Sequence, residues 1–246
     1  MDYFRSSLPI YFIFMGISWG IGYELSLFFL KRNKLPTKGF TYLFLGTFIS
    51  SWIGAKLFFL LSSSGDRYSI FMKSPSFWLG GGFVFYGGLF LGIFFVFFYC
   101  HFLKRFSIFN LYSVLPAVCF SHAVGRIGCF FSGCCFGKIC QLPWGIFKIS
   151  GGRHPVQIYE SLFLIGLGFY LAFKNIKIHK RPVKESFYYI LTRYLAFYSL
   201  FRIFIEFLRG DKIRGIYYGF SSSQLASFSI LFFLLILKLK RLNPRN

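Results

Sequence analysis

Seven long apolar segments follow one another along the chain, and they constrain its fold more than any other feature. They run roughly over residues 8–30, 40–62, 83–103, 109–131, 157–174, 186–208 and 219–238. Segments of about 18 or more mostly apolar residues are typical of transmembrane helices. Because 56% of the 246 residues are hydrophobic, a soluble domain of this size is excluded. The sequence therefore predicts an all-α, polytopic membrane protein with about seven transmembrane helices, forming one integral membrane domain over residues 1–246.

The loops between these segments differ in their content of Lys and Arg. Basic residues are more frequent after the first, third, fifth and seventh segments than in the other loops. Because cytoplasmic loops carry an excess of Lys and Arg, we expect the N-terminus outside and the C-terminus in the cytoplasm. Short basic clusters of this kind face anionic headgroups. They account for the net charge of +21 without nucleic acid as a partner.

An arginine within the fourth segment is the first pointer to function. Arg126 stands in the run Gly125-Arg126-Ile127-Gly128-Cys129, and a charge inside the hydrocarbon region is costly unless it serves a site. Helical residues rise by about 1.5 Å each, so Arg126, Lys56 and Arg202 all reach the outer third of the bilayer. The sequence thus predicts that three basic side chains from three segments meet at one depth.

Other polar side chains reach the same predicted depth. They are Tyr11, Tyr86 and Glu160 near the outer starts of their segments, with Tyr198 and Glu206 one turn on either side of Arg202. Because basic groups outnumber acidic ones, we expect a polar cavity that faces the outer leaflet and binds a lipid phosphate. The alternative is that the pairs Arg202–Glu206 and Lys56–Glu160 only neutralise each other between packed helices.

Glycines surround Tyr86 in the sequence. The run Gly80-Gly81-Gly82 precedes it, and Gly87 and Gly88 follow it. Glycine permits irregular backbone whose N–H groups could line a headgroup cavity. Close packing of two helices explains the same residues equally well.

Several motifs in a fixed order carry a resemblance to a known family. They are Gly125-Arg126-Ile127-Gly128, Gly137, Pro143-Trp144-Gly145, the run Arg153–Glu160 and the run Tyr198–Phe207. With them, nearly the whole chain resembles the bacterial phosphatidylglycerol–prolipoprotein diacylglyceryl transferases. This family moves the diacylglyceryl group of phosphatidylglycerol to the thiol of a lipobox cysteine and releases glycerol phosphate.

The resemblance implies a transferase of lipoprotein biosynthesis in the bacterial cytoplasmic (inner) membrane, with its active site facing the outer leaflet. Its expected partners are phosphatidylglycerol, prolipoprotein signal peptides with a lipobox cysteine, and membrane lipids; no cofactor is expected. Arg126 matches the signature arginine and Arg202 a second essential arginine. The catalytic candidates are Arg126, Arg202, Glu206, Tyr198, Tyr86 and His154. The substrate-binding candidates are Tyr11, Lys56, Gly87, Gly88, Gly137, Arg153 and Glu160, and no metal site is expected.

Three positions depart from the family pattern. Tyr86 stands where the family has the histidine of a His-Gly-Gly motif, Cys129 where it has asparagine, and Cys134 where it has glutamate. A phenol is a poor base at neutral pH, so we expect Tyr86 to position lipid, with His154 or His122 as substitute bases. The departures keep a second reading open, in which the chain is a non-catalytic phospholipid-binding relative.

Four of the six cysteines lie within twelve residues, at Cys129, Cys134, Cys135 and Cys140. This segment is predicted on the outer side of the membrane, which is oxidising in many bacteria. We therefore favour a disulfide that braces the loop after Arg126. A metal site is the less favoured alternative, because the spacing matches no standard zinc pattern. A redox-active pair would instead indicate a membrane thiol–disulfide oxidoreductase.

Overall fold

The computed structural model describes residues 2–62, 84–145, 152–178, 181–210, 216–217 and 219–242. Helices make up most of these ranges: α1 (Asp2–Arg32), α2 (Phe40–Ser62), α3 (Phe85–His101), a 3-10 helix (Ile108–Ser113), α4 (Leu115–Phe131), α5 (Val156–Lys177), α6 (Val183–Leu208) and α7 (Ser222–Leu242). Two short strands, β1 (Ile216–Tyr217) and β2 (Phe220–Ser221), pair antiparallel just before α7. The predicted all-α class is confirmed.

Each predicted apolar segment coincides with a helix, but only four of the described helices are long and apolar enough to cross a membrane. The qualifying stretches are Ile10–Arg32, Phe40–Leu61, Val156–Lys177 and Ser222–Leu239. Helices α3 and α4 are apolar and have 17 residues each, while α6 has 26 residues and carries several charges along its length. These helices fit a membrane protein, and the count of seven spans and their orientation stay predictions.

The backbone forms two compact units. One comprises Met1–Phe29 with Tyr112–Asn246, and the other comprises Leu30–Leu111. The first unit therefore contains most of α1 together with α4 to α7, and the second contains α2 and α3. One integral membrane domain over residues 1–246 stays a prediction.

In the unit of residues 30–111, α2 and α3 approach closely along faces that carry glycine. A Cβ atom at Gly87 would lie 2.5 Å from the carbonyl oxygen of Gly54, and one at Gly88 would lie 2.9 Å from that of Ser51. Small residues let two helix backbones come this close. Helix packing thus accounts for Gly87 and Gly88, and their role in substrate binding stays a prediction. The run Gly80-Gly81-Gly82 lies outside the described residues.

In the other unit, contacts beside the predicted polar residues hold α4, α5 and α6 together. Ser161 of α5 donates a hydrogen bond to the carbonyl oxygen of Ala123 on α4 at 3.1 Å. Phe163 of α5 stacks on Phe201 of α6, with ring centroids 3.9 Å apart. Because these residues lie within three positions of Arg126, Glu160 and Arg202 in the sequence, the packing brings those three side chains to one place.

Backbone hydrogen bonds anchor the segment that follows α4. The Gly137 N–H donates to the His154 carbonyl oxygen at 3.1 Å, and the Lys138 N–H donates to the Leu208 carbonyl oxygen at 2.8 Å. Gly137 has no room for a side chain, because a Cβ atom there would lie 2.6 Å from the Cβ atom of His154. The segment is therefore fixed both to the start of α5 and to the end of α6.

Gly54→Ala should lower the free energy of unfolding by about 1–3 kcal/mol, because the added methyl group meets the backbone of α3. Denaturant unfolding of the purified protein in detergent micelles measures the change. Gly166→Ala is the matched control: its Cβ atom would meet nothing within 4 Å, so stability should stay equal or rise slightly. Wild-type stability in Gly54→Ala would contradict the close contact of α2 and α3.

Candidate active site

Glu160, one turn into α5, is the centre of a buried cluster of charged side chains. The residue is 1% exposed. Its Oε2 atom lies 2.7 Å from Nη2 of Arg126 on α4 and 3.4 Å from Nη1 of Arg202 on α6. Its Oε1 atom accepts a hydrogen bond from the Tyr198 hydroxyl at 3.0 Å. One carboxylate thus joins three helices.

Arg202 has two further partners. Its Nη2 atom lies 3.0 Å from Oε2 of Glu206, and it donates to the hydroxyl oxygen of Ser223 at 3.2 Å. The pairing with Glu206 follows from the four-residue spacing on α6. Ser223, in the first turn of α7, was not among the predicted site residues. Serine is common at helix starts for capping alone, so no sequence signal marks it as part of a site.

The cluster differs in one respect from the expected arrangement of charges. Within the unit that contains α4 to α6, two arginines face two glutamates, so their formal charges balance, whereas the sequence predicted a surplus of basic groups. Lys56 belongs to the unit of residues 30–111, where its side chain is buried and its ammonium nitrogen lies 5.9 Å from the centre of the Trp52 ring. The balance therefore comes from glutamates that hold the two guanidinium groups in place.

Arg126 nevertheless keeps unused hydrogen-bond donors. Its Nε atom is buried and has no hydrogen-bond partner in the part of the chain that the structure describes. Its Nη1 atom lies 3.8 Å from the sulfur of Cys129, which is a weak acceptor. A buried donor without a partner costs about 1–3 kcal/mol. An acceptor oxygen of a bound molecule would remove that cost, which makes Arg126 a place for an anionic ligand.

The two candidate substitute bases occupy different surroundings. His122 lies one turn before Arg126, and its Nε2 atom is 3.8 Å from Oε1 of Glu160. Its side chain is 35% exposed. His154 lies just before α5 instead, where its carbonyl oxygen accepts from the Gly137 N–H and its ring packs edge-on against Tyr159 with centroids 6.2 Å apart. The structure therefore brings His122 into the charge cluster, although the sequence alone explained it equally well by helix packing.

The remaining predicted site residues fall into three groups. Arg153, just before α5, donates to the carbonyl oxygen of Gly137 in the anchored segment at 3.3 Å, and its guanidinium carbon lies 4.7 Å from the centre of the Phe136 ring. Tyr11 of α1 lies within electrostatic range of Arg126 and Cys129. The others, Tyr86, Gly87, Gly88 and Lys56, lie in the unit of residues 30–111, where Tyr86 is 44% exposed.

All six cysteines are free thiols, so the disulfide favoured by the sequence is not formed. Cys129, Cys134 and Cys135 nevertheless lie together, with their sulfur atoms within 4.8 Å of one another; we call them the cysteine trio. Hydrogen bonds with the thiols of Cys129 and Cys134 lower the pKa of the Cys135 thiol below its usual range. The three thiols therefore form one cluster beside Arg126.

Glu160→Gln should destabilise the protein by about 3–5 kcal/mol, because two buried arginines lose the charge that compensates them. Denaturant unfolding in micelles is the measurement. Glu185→Gln serves as the control, since Glu185 lies on an exposed turn at the start of α6. If both variants unfold at the same denaturant concentration as the wild type, Glu160 does not hold the cluster together.

Comparison with known proteins identifies the family of this chain. Residues 4–239 match the prolipoprotein diacylglyceryl transferase family. The phosphatidylglycerol–prolipoprotein diacylglyceryl transferase of Clostridium tetani is 36% identical over 172 residues, which cover 66% of each chain. A second such enzyme, from Clostridium perfringens, is 30% identical over 84% of this chain and 81% of its own. The corresponding enzyme of Finegoldia magna is 29% identical over 89% of this chain and 86% of its own. The chain therefore belongs to the prolipoprotein diacylglyceryl transferase family.

Proposed function

We propose that this protein transfers the diacylglyceryl group of phosphatidylglycerol to the lipobox cysteine thiol of a prolipoprotein, the first step of lipoprotein maturation. One observation carries the proposal: Arg126 and Arg202 converge on the buried Glu160, and Arg126 keeps a buried donor without a partner. Such an arrangement fits the phosphate group of a lipid, and membership of the family supports the same substrate.

In the proposed reaction the two arginines bind the lipid phosphate. A guanidinium group offers a planar fork of donors that matches phosphate oxygens. Glu160 pairs with one nitrogen atom of Arg126 and Glu206 with one of Arg202, which fixes the orientation of both guanidinium groups. The Nε atom of Arg126 stays available to the phosphate. Negative charge grows on the phosphate oxygen as the bond from carbon to oxygen breaks. Two fixed positive groups at that point lower the barrier for departure of glycerol phosphate.

The nucleophile is the lipobox thiol, which must lose its proton because the thiolate is the reactive form. Its sulfur attacks the glycerol carbon that carries the phosphate, so a bond from carbon to sulfur forms as glycerol phosphate leaves. A neutral imidazole accepts such a proton well. Of the two candidate bases, we favour His122, because it lies 3.8 Å from Glu160 within the charge cluster.

We also propose the placement of the protein in the cell. It lies in the bacterial cytoplasmic (inner) membrane with seven spans, an outer N-terminus, a cytoplasmic C-terminus and an active site facing the outer leaflet. The apolar helices and the excess of Lys and Arg in alternate loops support this topology. A secreted precursor would meet the site from that side.

Arg126→Ala and Arg202→Ala should each reduce turnover at least about a hundredfold, because each removes one charge-stabilising group from the departing phosphate. The assay incubates the purified protein with phosphatidylglycerol and a lipobox peptide, and mass spectrometry detects the thioether product. Arg193→Ala is the control on the same helix, since Arg193 stacks on Tyr189, 3.4 Å from its ring centre, outside the cluster.

Two results of this assay would contradict the proposal. Near-normal turnover in Arg202→Ala would place the phosphate elsewhere. Absence of any thioether product with the wild-type protein, while phosphatidylglycerol still binds, would identify a non-catalytic lipid-binding relative. Reduction of a quinone by the purified protein, with consumption of its thiols, would instead indicate an oxidoreductase.

Tyr86→Phe should keep part of the activity, and Tyr86→His should match or exceed the wild type. The phenol serves to position lipid at the headgroup level, where tyrosine is favoured for its amphipathic ring. A histidine at the same position adds a group that titrates near neutrality and can accept the thiol proton. Initial rates and lipid affinity measured for all three proteins test this role. Complete loss in Tyr86→Phe with unchanged lipid affinity would show that the hydroxyl takes part in the chemistry.

A further inference from the structure

The cysteine trio takes no part in the reaction described above, although it lies beside an arginine of the active site. Cys129 is in the last turn of α4, three residues after Arg126, and its sulfur lies 3.8 Å from Nη1 of Arg126. The sulfur atoms of Cys134 and Cys135 lie within 4.8 Å of it and of each other. Three converging thiols at this position need an explanation of their own.

We propose that the cysteine trio binds a zinc ion whose fourth position takes the lipobox thiol of the prolipoprotein as a thiolate. The inference rests on the proposed function for the identity of that fourth ligand. It assigns the trio a direct part in activating the nucleophile.

The distances suit a single zinc ion. Zn–S bonds are about 2.3 Å long, so tetrahedral geometry places two sulfur ligands about 3.8 Å apart. The three sulfur atoms already lie within 4.8 Å of one another. Rotation of the side chains, with a contraction of about 1 Å, therefore completes the ligand set without a rearrangement of the backbone.

The backbone is built to bring these sulfur atoms together. The N–H of Cys134 donates to the carbonyl oxygen of Cys129 at 3.1 Å, and the buried side chain of Gln157 donates to the carbonyl oxygen of Cys134 at 2.6 Å. Cys135 has a φ of +58°, in the left-handed region that residues other than glycine rarely adopt. A strained conformation persists where its surroundings enforce it and is frequent at functional sites. The turn after α4 thus places the thiols of Cys134 and Cys135 next to that of Cys129 at the end of the helix.

Charge and exposure both favour a site with an open position. Three thiolates on Zn²⁺ carry a net charge of −1, and the guanidinium group of Arg126 beside Cys129 offsets it as a hydrogen-bonding neighbour of a ligand. Cys129 is buried, whereas Cys134 and Cys135 are half-buried, so the trio can be reached from one side. Structural zinc sites use four protein ligands, while catalytic sites use three and keep one position open. Cys140 lies outside the trio.

The chemistry balances without a redox partner. A thiol bound to Zn²⁺ is deprotonated outright, and its proton passes to a base such as His122. The sulfur then forms the bond to the glycerol carbon, and the electron pair of the broken bond leaves with glycerol phosphate, which the arginines hold. Zinc stays Zn²⁺ throughout. The thioether product is a weaker ligand than a thiolate and departs, so the open position returns.

The first test measures metal content. Full-length protein purified without oxygen from zinc-supplemented cells should contain one zinc ion per chain by elemental mass spectrometry. Cys129→Ser and Cys135→Ser should lose the zinc, whereas the control Cys140→Ser, in the same loop, should keep it. Zinc missing from the wild type, or kept equally in Cys129→Ser, would overturn the proposal. So would a disulfide within the trio, found by trapping free thiols in intact cells.

The second test needs no variant and does not depend on activity. Replacing zinc by Co²⁺ in the wild type should give thiolate-to-cobalt charge-transfer absorption. Adding a lipobox peptide should increase that absorption and shift the ligand-field bands, while the same peptide with serine in place of its cysteine should not. A cobalt spectrum that does not change when the cysteine-containing peptide is added would indicate a structural metal site and overturn the proposal.

Thioether formation separates this inference from the proposed function. Wild-type turnover by protein stripped of metal would leave the transferase function intact and overturn the zinc inference. Conversely, the cobalt spectrum could respond to the peptide thiol while phosphatidylglycerol yields no thioether product. That result would support thiol binding at the trio and contradict the transferase function.

Discussion

The charge cluster around Glu160 is the constraint on which the rest of this protein depends. Two guanidinium groups buried among apolar helices are tolerable only with compensating charge, and Glu160 supplies it to both Arg126 and Arg202. Because these partners lie on α4, α5 and α6, the helices must keep their relative rotation and depth for the charges to stay paired. Electrostatics at one carboxylate thus dictates the packing of three helices, while Ser161 and the stack of Phe163 on Phe201 hold the neighbouring turns.

The anchored segment after α4 adds a second constraint beside the first. Its backbone is bonded to the start of α5 at His154 and to the end of α6 at Leu208. The helix ends that carry Glu160 and Glu206 are therefore tied to the turn that carries the cysteine trio. A substrate thiol and a lipid phosphate would meet between parts of the chain that are mutually fixed, as a displacement reaction requires for alignment.

Sequence reasoning located the helices and several members of the site, because apolar segments and four-residue spacing report directly on helices. Tyr198, Arg202 and Glu206 share one face of α6, and the pairing of Arg202 with Glu206 followed from that spacing. Partner choice between helices did not follow, since no local spacing indicates that Glu160 contacts Arg126 and Arg202 on two other helices. Ser223 and His122 entered the cluster through tertiary packing, which no local pattern encodes. The convergence of Cys129, Cys134 and Cys135 could not be predicted from their spacing, because a helix end and a left-handed residue bring their sulfur atoms together.

The double engagement of Glu160 has a consequence for the reaction cycle. Its carboxylate and a lipid phosphate are both anions that the same two arginines can bind, so they compete. In the proposed reaction, the lipid phosphate shares the two guanidinium groups with Glu160, and this competition weakens affinity for the substrate and for the anionic product alike. When glycerol phosphate departs, Glu160 still compensates both arginines, so two cations are not left unpaired in apolar surroundings. Glu160 thereby competes with the product phosphate for the two arginines and favours release of glycerol phosphate.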